Sequence, residues 1–367
     1  MRLDVVDIIK GISIIMIVNV HLISGQFFPI GGTYHVIAFF FTAGIIHGFK
    51  ESWNELSVRT FFFRKLTRLM YPYIALSSCY ICFHALLNVI RGDVLINDGI
   101  IESLIKTATL RGIGTLWFLP ILFLGEILFF VAKKKEIDDT IILFCGGVFV
   151  VLSSYLNAEG ISGIQWYNNN SLYGILLNTP LSLFCAGCIT VLFIELGYKI
   201  FKTFPHLFLR NTISKKRTIL MGLVCLGCYM IDYSLLDYYV GDIHKLNIGN
   251  SCVYLICSVS GILFVCTLSI LINCFGKYLR SWLLFFGINS LIIMTTHTEY
   301  YINSVAHLVI TNIISLFDVS LDSTAISGLS LFLIMVIEIG IVFFVNYTPL
   351  RFLYAIPKLK KVNGNSK

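Results

Sequence analysis

The stretch Asp7-Ile-Ile-Lys10-Gly-Ile-Ser-Ile-Ile-Met-Ile-Val-Asn-Val-His21 decides how this chain is read. It is apolar enough to enter a bilayer, yet it carries an ammonium near one end and an imidazole at the other. A helix turns about 100° per residue, so Lys10 and His21 lie about 20° apart on one face and roughly 16 Å apart along the axis. Asp7, Gly11, Ser24 and Gly25 fall near the same stripe, whereas Ile8, Ile12, Ile15, Met16 and Val20 lie mostly elsewhere. Ionisable groups at membrane depth usually face a protein-lined or wet cavity, which makes this face a candidate site.

The rest of the chain agrees with a membrane setting. Hydrophobic residues make up 57% and charged residues 13% of it, with a mean hydropathy of +0.85; soluble domains carry about 25% charged residues. The expected fold is an all-α, polytopic membrane helix bundle. About ten apolar segments have near-spanning length, at 8–28, 34–49, 70–91, 115–132, 140–156, 173–198, 217–235, 250–275, 283–303 and 326–348. With the N-terminus inside, only Arg91, Lys106, Arg111 and Lys245 of the 27 lysines and arginines fall on the outer side. That asymmetry predicts that both termini are cytoplasmic.

The net charge of +7 therefore calls for no nucleic-acid partner. A basic inner surface suits anionic lipid head groups and would also suit a phosphate-bearing ligand. The eleven cysteines include the pairs Cys79/Cys82, Cys185/Cys188 and Cys225/Cys228. They sit inside apolar segments without clustered histidines or carboxylates, so they read as small apolar residues and no metal is expected.

Along the chain, Arg59, Arg64, Lys65 and Arg68 alternate with Phe61, Phe62 and Phe63 ahead of Pro72. Helical spacing makes this an interfacial helix that turns into the membrane at Pro72. Such a helix serves as an anchor or, through its guanidinium forks, as a cradle for phosphates. The loop 92–114 is the longest and most polar on the outer side. Trp166, Tyr167, Asn168 to Asn170 and Tyr173 near another outer loop suit either an interfacial belt or a sugar. The segment Phe286-Gly287-Ile-Asn289-Ser290-Leu-Ile-Ile-Met-Thr295-Thr296-His297-Thr-Glu299-Tyr300-Tyr301 is the second informative stretch. Read as one helix, it puts Ser290, His297 and Tyr301 on one face and His297 at nearly the depth of His21. Glu126 and Glu338 fall near mid-membrane, and for His47, His84 and Glu338 a structural role is the simpler reading.

The Asp7-x-x-Lys10-Gly11-Ile12 lead-in and the Lys10-x10-His21 spacing resemble the N-terminal signature of the acyltransferase 3 family. Further matches follow in family order: Phe39-Phe-Phe-Thr-Ala-Gly44, Arg64-Lys65-x-x-Arg68-Leu-x-x-Pro72-Tyr73, Leu116-Trp117-Phe118-Leu119, and Gly287-x-Asn289-Ser290-Leu with His297 behind it. The likeness is greater to the stand-alone, fucose 4-O-acetylase-like branch than to members with an appended extracytoplasmic domain. Two features depart from the pattern. Lys10 stands where arginine is commoner, and the Trp-Ser-Leu-x-x-Glu run of other members is absent, so Glu126 cannot be equated with that glutamate.

The resemblance implies an acyltransferase 3-like transmembrane domain over 1–350 and a basic cytoplasmic tail over 351–367, in a bacterial-type plasma (inner) membrane. It implies transfer of an acetyl group from acetyl-CoA to a hydroxyl of a cell-surface glycan or glycan precursor. The partners are then acetyl-CoA, the glycan and membrane lipid, with a homo-oligomer left open. Lys10, Arg64, Lys65 and Arg68 would hold donor phosphates at the inner rim, and the pantetheine arm would rise through one tunnel to His21. His21 would act as general base, or carry the acyl group itself. His297, Asn289 or Ser290 would hold the oxyanion or the acceptor, and Trp117 and Glu126 complete the candidate substrate-binding set. Two rival classes remain: a proton-coupled carrier or flippase using Glu126, Glu338 and the histidines, for which no repeat between the halves is seen, and a structural or sensory membrane protein.

Overall fold

The computed structural model describes residues 3–29, 34–158, 172–208, 214–238, 241–318 and 320–355; for 156–158 and 172–179 only the helical backbone is described. Fourteen α-helices occur among the described residues, and the protein is an all-α membrane bundle. Five helices are long and apolar enough to cross a bilayer: the runs Val58–Arg91, Gly114–Lys134, Pro180–Thr203, Ser251–Phe275 and Ser323–Tyr347. A bent pair adds a sixth candidate, and Tyr34–Phe49, Asp139–Tyr155 and Ile302–Leu316 are shorter apolar helices.

The centre is α1 (Asp4–Val20), which is buried nearly all round between α2 (Tyr34–Phe49), α10 (Ser251–Phe275) and α11 (Lys277–Ile288). Lipid offers no hydrophobic drive for helix association, so close packing must hold these helices together. Small residues provide it reciprocally. A Cβ on Gly11 would strike the Leu283 backbone, and one on Gly287 would strike the backbone of Asp7. The same arrangement joins α2 to α8 (Leu172–Thr203), where Gly44 lies on Ile194 and Gly197 on Phe41.

Four expectations need correction. The first apolar segment is not helical through residue 28. It ends at Val20, and Asn19 holds the returning chain through its Oδ1, which accepts from the N–H groups of Phe27 (2.9 Å) and Phe28 (3.3 Å), and its Nδ2, which donates to the Phe28 carbonyl (2.9 Å).

Nor does the chain turn at Pro72. Helix α3 (Val58–Lys65) runs into α4 (Tyr71–Arg91) through one π-turn, Leu66–Met70, where the Tyr71 N–H bonds five residues back to Leu66. Proline cannot donate to the carbonyl four residues earlier and its ring crowds that carbonyl, so a widened turn just before it relieves the conflict.

The polar loop 92–114 contains a helix, α5 (Asp98–Ala108), capped by the Asn97 side chain on the Ile100 N–H.

The segment 283–303 is broken. Helices α11 and α12 (Ser290–Thr296) meet at 65° about Asn289, whose Nδ2 donates to the Phe285 carbonyl at 2.8 Å and whose Oδ1 accepts from Asn346 at 3.0 Å. A side chain that engages a helix carbonyl competes with the ladder, and the axis bends there. The helix then stops at Thr296. Tyr301, at φ 62°, begins α13 (Ile302–Leu316) rather than extending the face of His297.

The remaining helices, α6 (Phe118–Lys134), α7 (Asp139–Ala158), α9 (Lys215–Ser234) and α14 (Ser323–Tyr347), enclose this centre. A short 3-10 stretch, Pro349–Tyr354, follows α14; the rest of the tail and the stretch Trp166 to Asn170 lie outside the described residues.

Candidate active site

His21 stands at the carbonyl end of α1, where the last backbone oxygens have no helical partner. Its Nδ1 lies 2.7 Å from the Ile17 carbonyl, four residues back. His297 repeats the arrangement at the end of α12, with Nδ1 2.8 Å from the Ile293 carbonyl. A carbonyl only accepts, so each ring carries its proton on Nδ1 and a lone pair on Nε2. His297 Nε2 lies 3.3 Å from His21 Nδ1, and the ring centroids are 5.1 Å apart. The lone pair of His297 thus receives part of the Nδ1 proton of His21. Asn303 keeps the pair in register: its N–H bonds the His297 carbonyl at 3.0 Å, and its side-chain amide donates to the His21 carbonyl. The negative end of α1 faces the His21 ring and steadies a positive charge gained there.

His21 is exposed to a cavity of about 1310 Å³. The end of α1, the 26–29 return, α2, α5, the 111–118 segment, Leu236, the 241–245 stretch and the turn after α12 contribute to its wall. Trp117, Phe118 and Phe39 offer aromatic faces; Glu102, Lys106, Asp242, His244 and Glu299 offer polar groups. Most of the charge is internally matched, with Lys106 on Glu102 at 2.6 Å and Lys245 on Asp242 at 3.9 Å. His244 stacks on Trp117, with centroids 4.7 Å apart, and its Nε2 donates to the Arg111 carbonyl at 3.1 Å. Burial, aided by the charges of Arg111 and Lys245, outweighs that hydrogen bond and pushes the His244 imidazole down to about 3. It is therefore neutral around pH 7.

A second cavity, about 800 Å³, lies towards the other end, among Arg59, Thr60, Phe63, Arg64, Thr67 and Arg68. Lys65 is turned the opposite way, into the bundle. It pairs with Glu126, which also receives His47 Nε2 at 3.2 Å, and the Trp53 indole donates to the His47 carbonyl at 2.6 Å. Lys10, Lys50 and Arg68 are within electrostatic reach of Lys65.

Of the candidate residues, the fold brings together His21, His297 and Trp117, and separately Arg64 and Arg68. Lys10 lines neither cavity, and the two cavities share no residue, so neither of them is the expected single tunnel from Lys10 to His21. The middle of α1 between them is packed on most sides, with Ile15 half-buried. Asn289 and Ser290 sit at the helix break, and Glu126 and Glu338 lie off the His21 cavity. Glu338 instead accepts from the Thr296 hydroxyl, at 2.9 Å and 2.7 Å to its two oxygens.

Sequence reading passed over Asn19, Asn303, His244 and Glu299 as site-forming residues. Only Glu299 carried a signal, two positions after His297 in the quoted stretch.

In this all-helical membrane bundle, one imidazole of a contacting pair opens on a large cavity of mixed polar and aromatic lining, which makes it the candidate active site. The family model described as an acyltransferase domain matches residues 3–347, and the chain belongs to the acyltransferase 3 family. It is a multi-pass membrane acyltransferase. No curated protein and no solved structure matches it.

Proposed function

We propose that the protein is an O-acetyltransferase that moves an acetyl group from acetyl-CoA to a hydroxyl of a cell-surface glycan or its precursor, bound in the His21 cavity. One observation carries the reading: both imidazoles have Nδ1 committed to a carbonyl, which leaves His21 Nε2 with the lone pair a base needs. His21 Nε2 takes the proton of the acceptor hydroxyl as its oxygen attacks the thioester carbonyl. The new C–O bond forms, the C–S bond breaks, and the proton passes to the departing thiolate. His297 stabilises the transient imidazolium through its lone pair on the Nδ1 side, so it acts through His21. A cavity that mixes indole and phenyl faces with matched charges suits a neutral polyhydroxyl acceptor. The asymmetry of lysine and arginine favours the extracytoplasmic side for this cavity, and the reading takes the membrane to be a bacterial-type plasma membrane.

Arg64 and Arg68 are the donor-side residues of this reading, as guanidinium forks match phosphate oxygens. Lys10 and Lys65 strengthen the field behind them. The packed centre of α1 separates them from His21, so the reading includes an opening beside α1 when the donor arm enters. Purified protein in nanodiscs, given labelled acetyl-CoA and a panel of methyl glycosides, should release CoA and form a labelled ester. Transfer that proceeds unchanged in His21→Ala would overturn the role of the base, and absence of an ester with every glycoside would overturn the acceptor class.

A further inference from the structure

We propose that Glu299 orients the acceptor, and that the acceptor must present a second hydroxyl beside the one acylated. This rests on the reading above, that an alcohol is acylated next to His21. Glu299 lines the same cavity as His21, and its position is built rather than incidental. Its Oε1 accepts from the backbone N–H of Thr115 at 3.1 Å and from the Thr298 hydroxyl at 3.1 Å. The segment beneath it leaves room for a carboxylate. Gly112 and Gly114 have φ of 81° and 48°, and a Cβ on Gly114 would run into the Glu299 carboxylate. The Thr115 hydroxyl donates to the Met294 carbonyl at 2.7 Å, which ties that segment to the turn that carries Glu299.

Elsewhere in the cavity the acidic groups have cations. Glu102 has Lys106 and Asp242 has Lys245, whereas Glu299 has no ion-pair partner among the described residues. Its second oxygen, Oε2, likewise has no protein hydrogen bond among them. An ionised carboxylate only accepts, so Oε2 takes water in the open cavity and can exchange it for a donor of the bound ligand. With His21 Nε2 receiving the proton of the reacting hydroxyl, a neighbouring hydroxyl of the same ligand is the donor available to Glu299. Two points of attachment fix the attacking oxygen, which a single contact cannot do. Glu299 is thus a positioning and selectivity residue, distinct from the base.

The test uses the full-length protein in nanodiscs with acetyl-CoA. The best methyl glycoside of the panel is compared with its monodeoxy analogue, which lacks the hydroxyl next to the acylated one. In the wild type, kcat/KM should favour the intact glycoside by about 10- to 100-fold, the usual effect of losing a hydrogen bond to a charged, half-buried acceptor. In Glu299→Gln, which keeps an oxygen for Thr115 and Thr298, that preference should fall by about tenfold. Equal losses on both acceptors, or an unchanged preference, would overturn the proposal while leaving the transfer reaction standing. A wild type that forms no ester with any glycoside would instead overturn the function on which it rests. If Glu299→Gln fails to accumulate, Thr298→Val, which removes one of the two bonds to Oε1, should lower the same preference; no change would count against Glu299.

Discussion

His297 Nε2 lies 3.3 Å from His21 Nδ1, across 276 residues of sequence. Each ring is oriented by the carbonyl four residues before it, so the contact is fixed by two helix ends rather than by two flexible side chains. The pair therefore has a direction: His21 presents its lone pair to the cavity, and His297 supports it from behind.

That direction separates the two histidines kinetically. His21→Ala should lower kcat for transfer by about 10²- to 10⁴-fold, the usual range for loss of a general base. His297→Ala should cost less, about 10- to 100-fold. The double variant should be no slower than His21→Ala alone, because residues that act as a unit are not additive. Steady-state rates for the three proteins check this, and multiplicative losses would show that His297 acts independently.

The cations at the opposite end divide into two kinds. Arg64→Ala and Arg68→Ala should each raise the KM for acetyl-CoA by about tenfold or more with little change in kcat, as expected for lost charge-assisted contacts to phosphate. Lys65→Ala should instead destabilise the protein by about 3–5 kcal/mol, because Glu126 is left charged and buried. Replacing both, as Lys65→Met with Glu126→Leu, should recover much of that loss. Thermal unfolding in detergent beside donor titrations distinguishes the two kinds.

Close approach of α1 and α11 makes Gly11 intolerant of any side chain. Gly11→Ala places a Cβ against the Leu283 backbone, which cannot move aside as a side chain can. The helices must separate, and a loss of about 2 kcal/mol or more is expected, in line with overpacking. Gly222→Ala, in a helix where no atom lies within 4 Å of the new Cβ, should be neutral or stabilising by up to about 1 kcal/mol. The yield of monodisperse protein and the melting temperature report both.

Acid should loosen the wall of the His21 cavity. The His244 imidazole is held at about 3 in the folded protein against an ordinary value near 6.5. Between these values the unfolded chain binds the extra proton and the folded one does not. The contribution to stability is therefore intact above about pH 6.5 and is lost progressively as the pH falls towards 3. His244→Phe, which keeps an aromatic ring for Trp117 but cannot take a proton, should flatten this limb. Melting temperatures from pH 7 to 4.5 measure the difference, and parallel curves would show that His244 is not its source.

Much of the fold was legible because hydropathy and helical period are local. The apolar character of α6, α8, α10 and α14 follows from runs long enough to have no soluble alternative. The expectation that His21 and His297 share a level came from the same counting, and the rings do meet. Counting failed where a side chain competes with the helix for backbone bonds. Asn289 bends one helix, Asn19 draws the chain back after another, and the π-turn before Pro72 joins an interfacial helix to a spanning one where the residue types suggest a turn between them. Nothing in the local pattern fixes which polar side chain will take a backbone partner.

The sequence by itself determined the class of protein, the ionisable face of α1 and the motif order of the family, since each is a property of neighbouring residues and their spacing. Only the tertiary structure decided which groups became partners. Lys65 and Arg64 are adjacent in the chain, yet one turns inward onto buried Glu126 and the other lines an open groove. Glu299, unremarkable in a list of residues, lies beside His21 in one cavity. A buried charge takes whichever counter-charge or dipole the packed helices bring within reach, and that choice depends on the whole bundle.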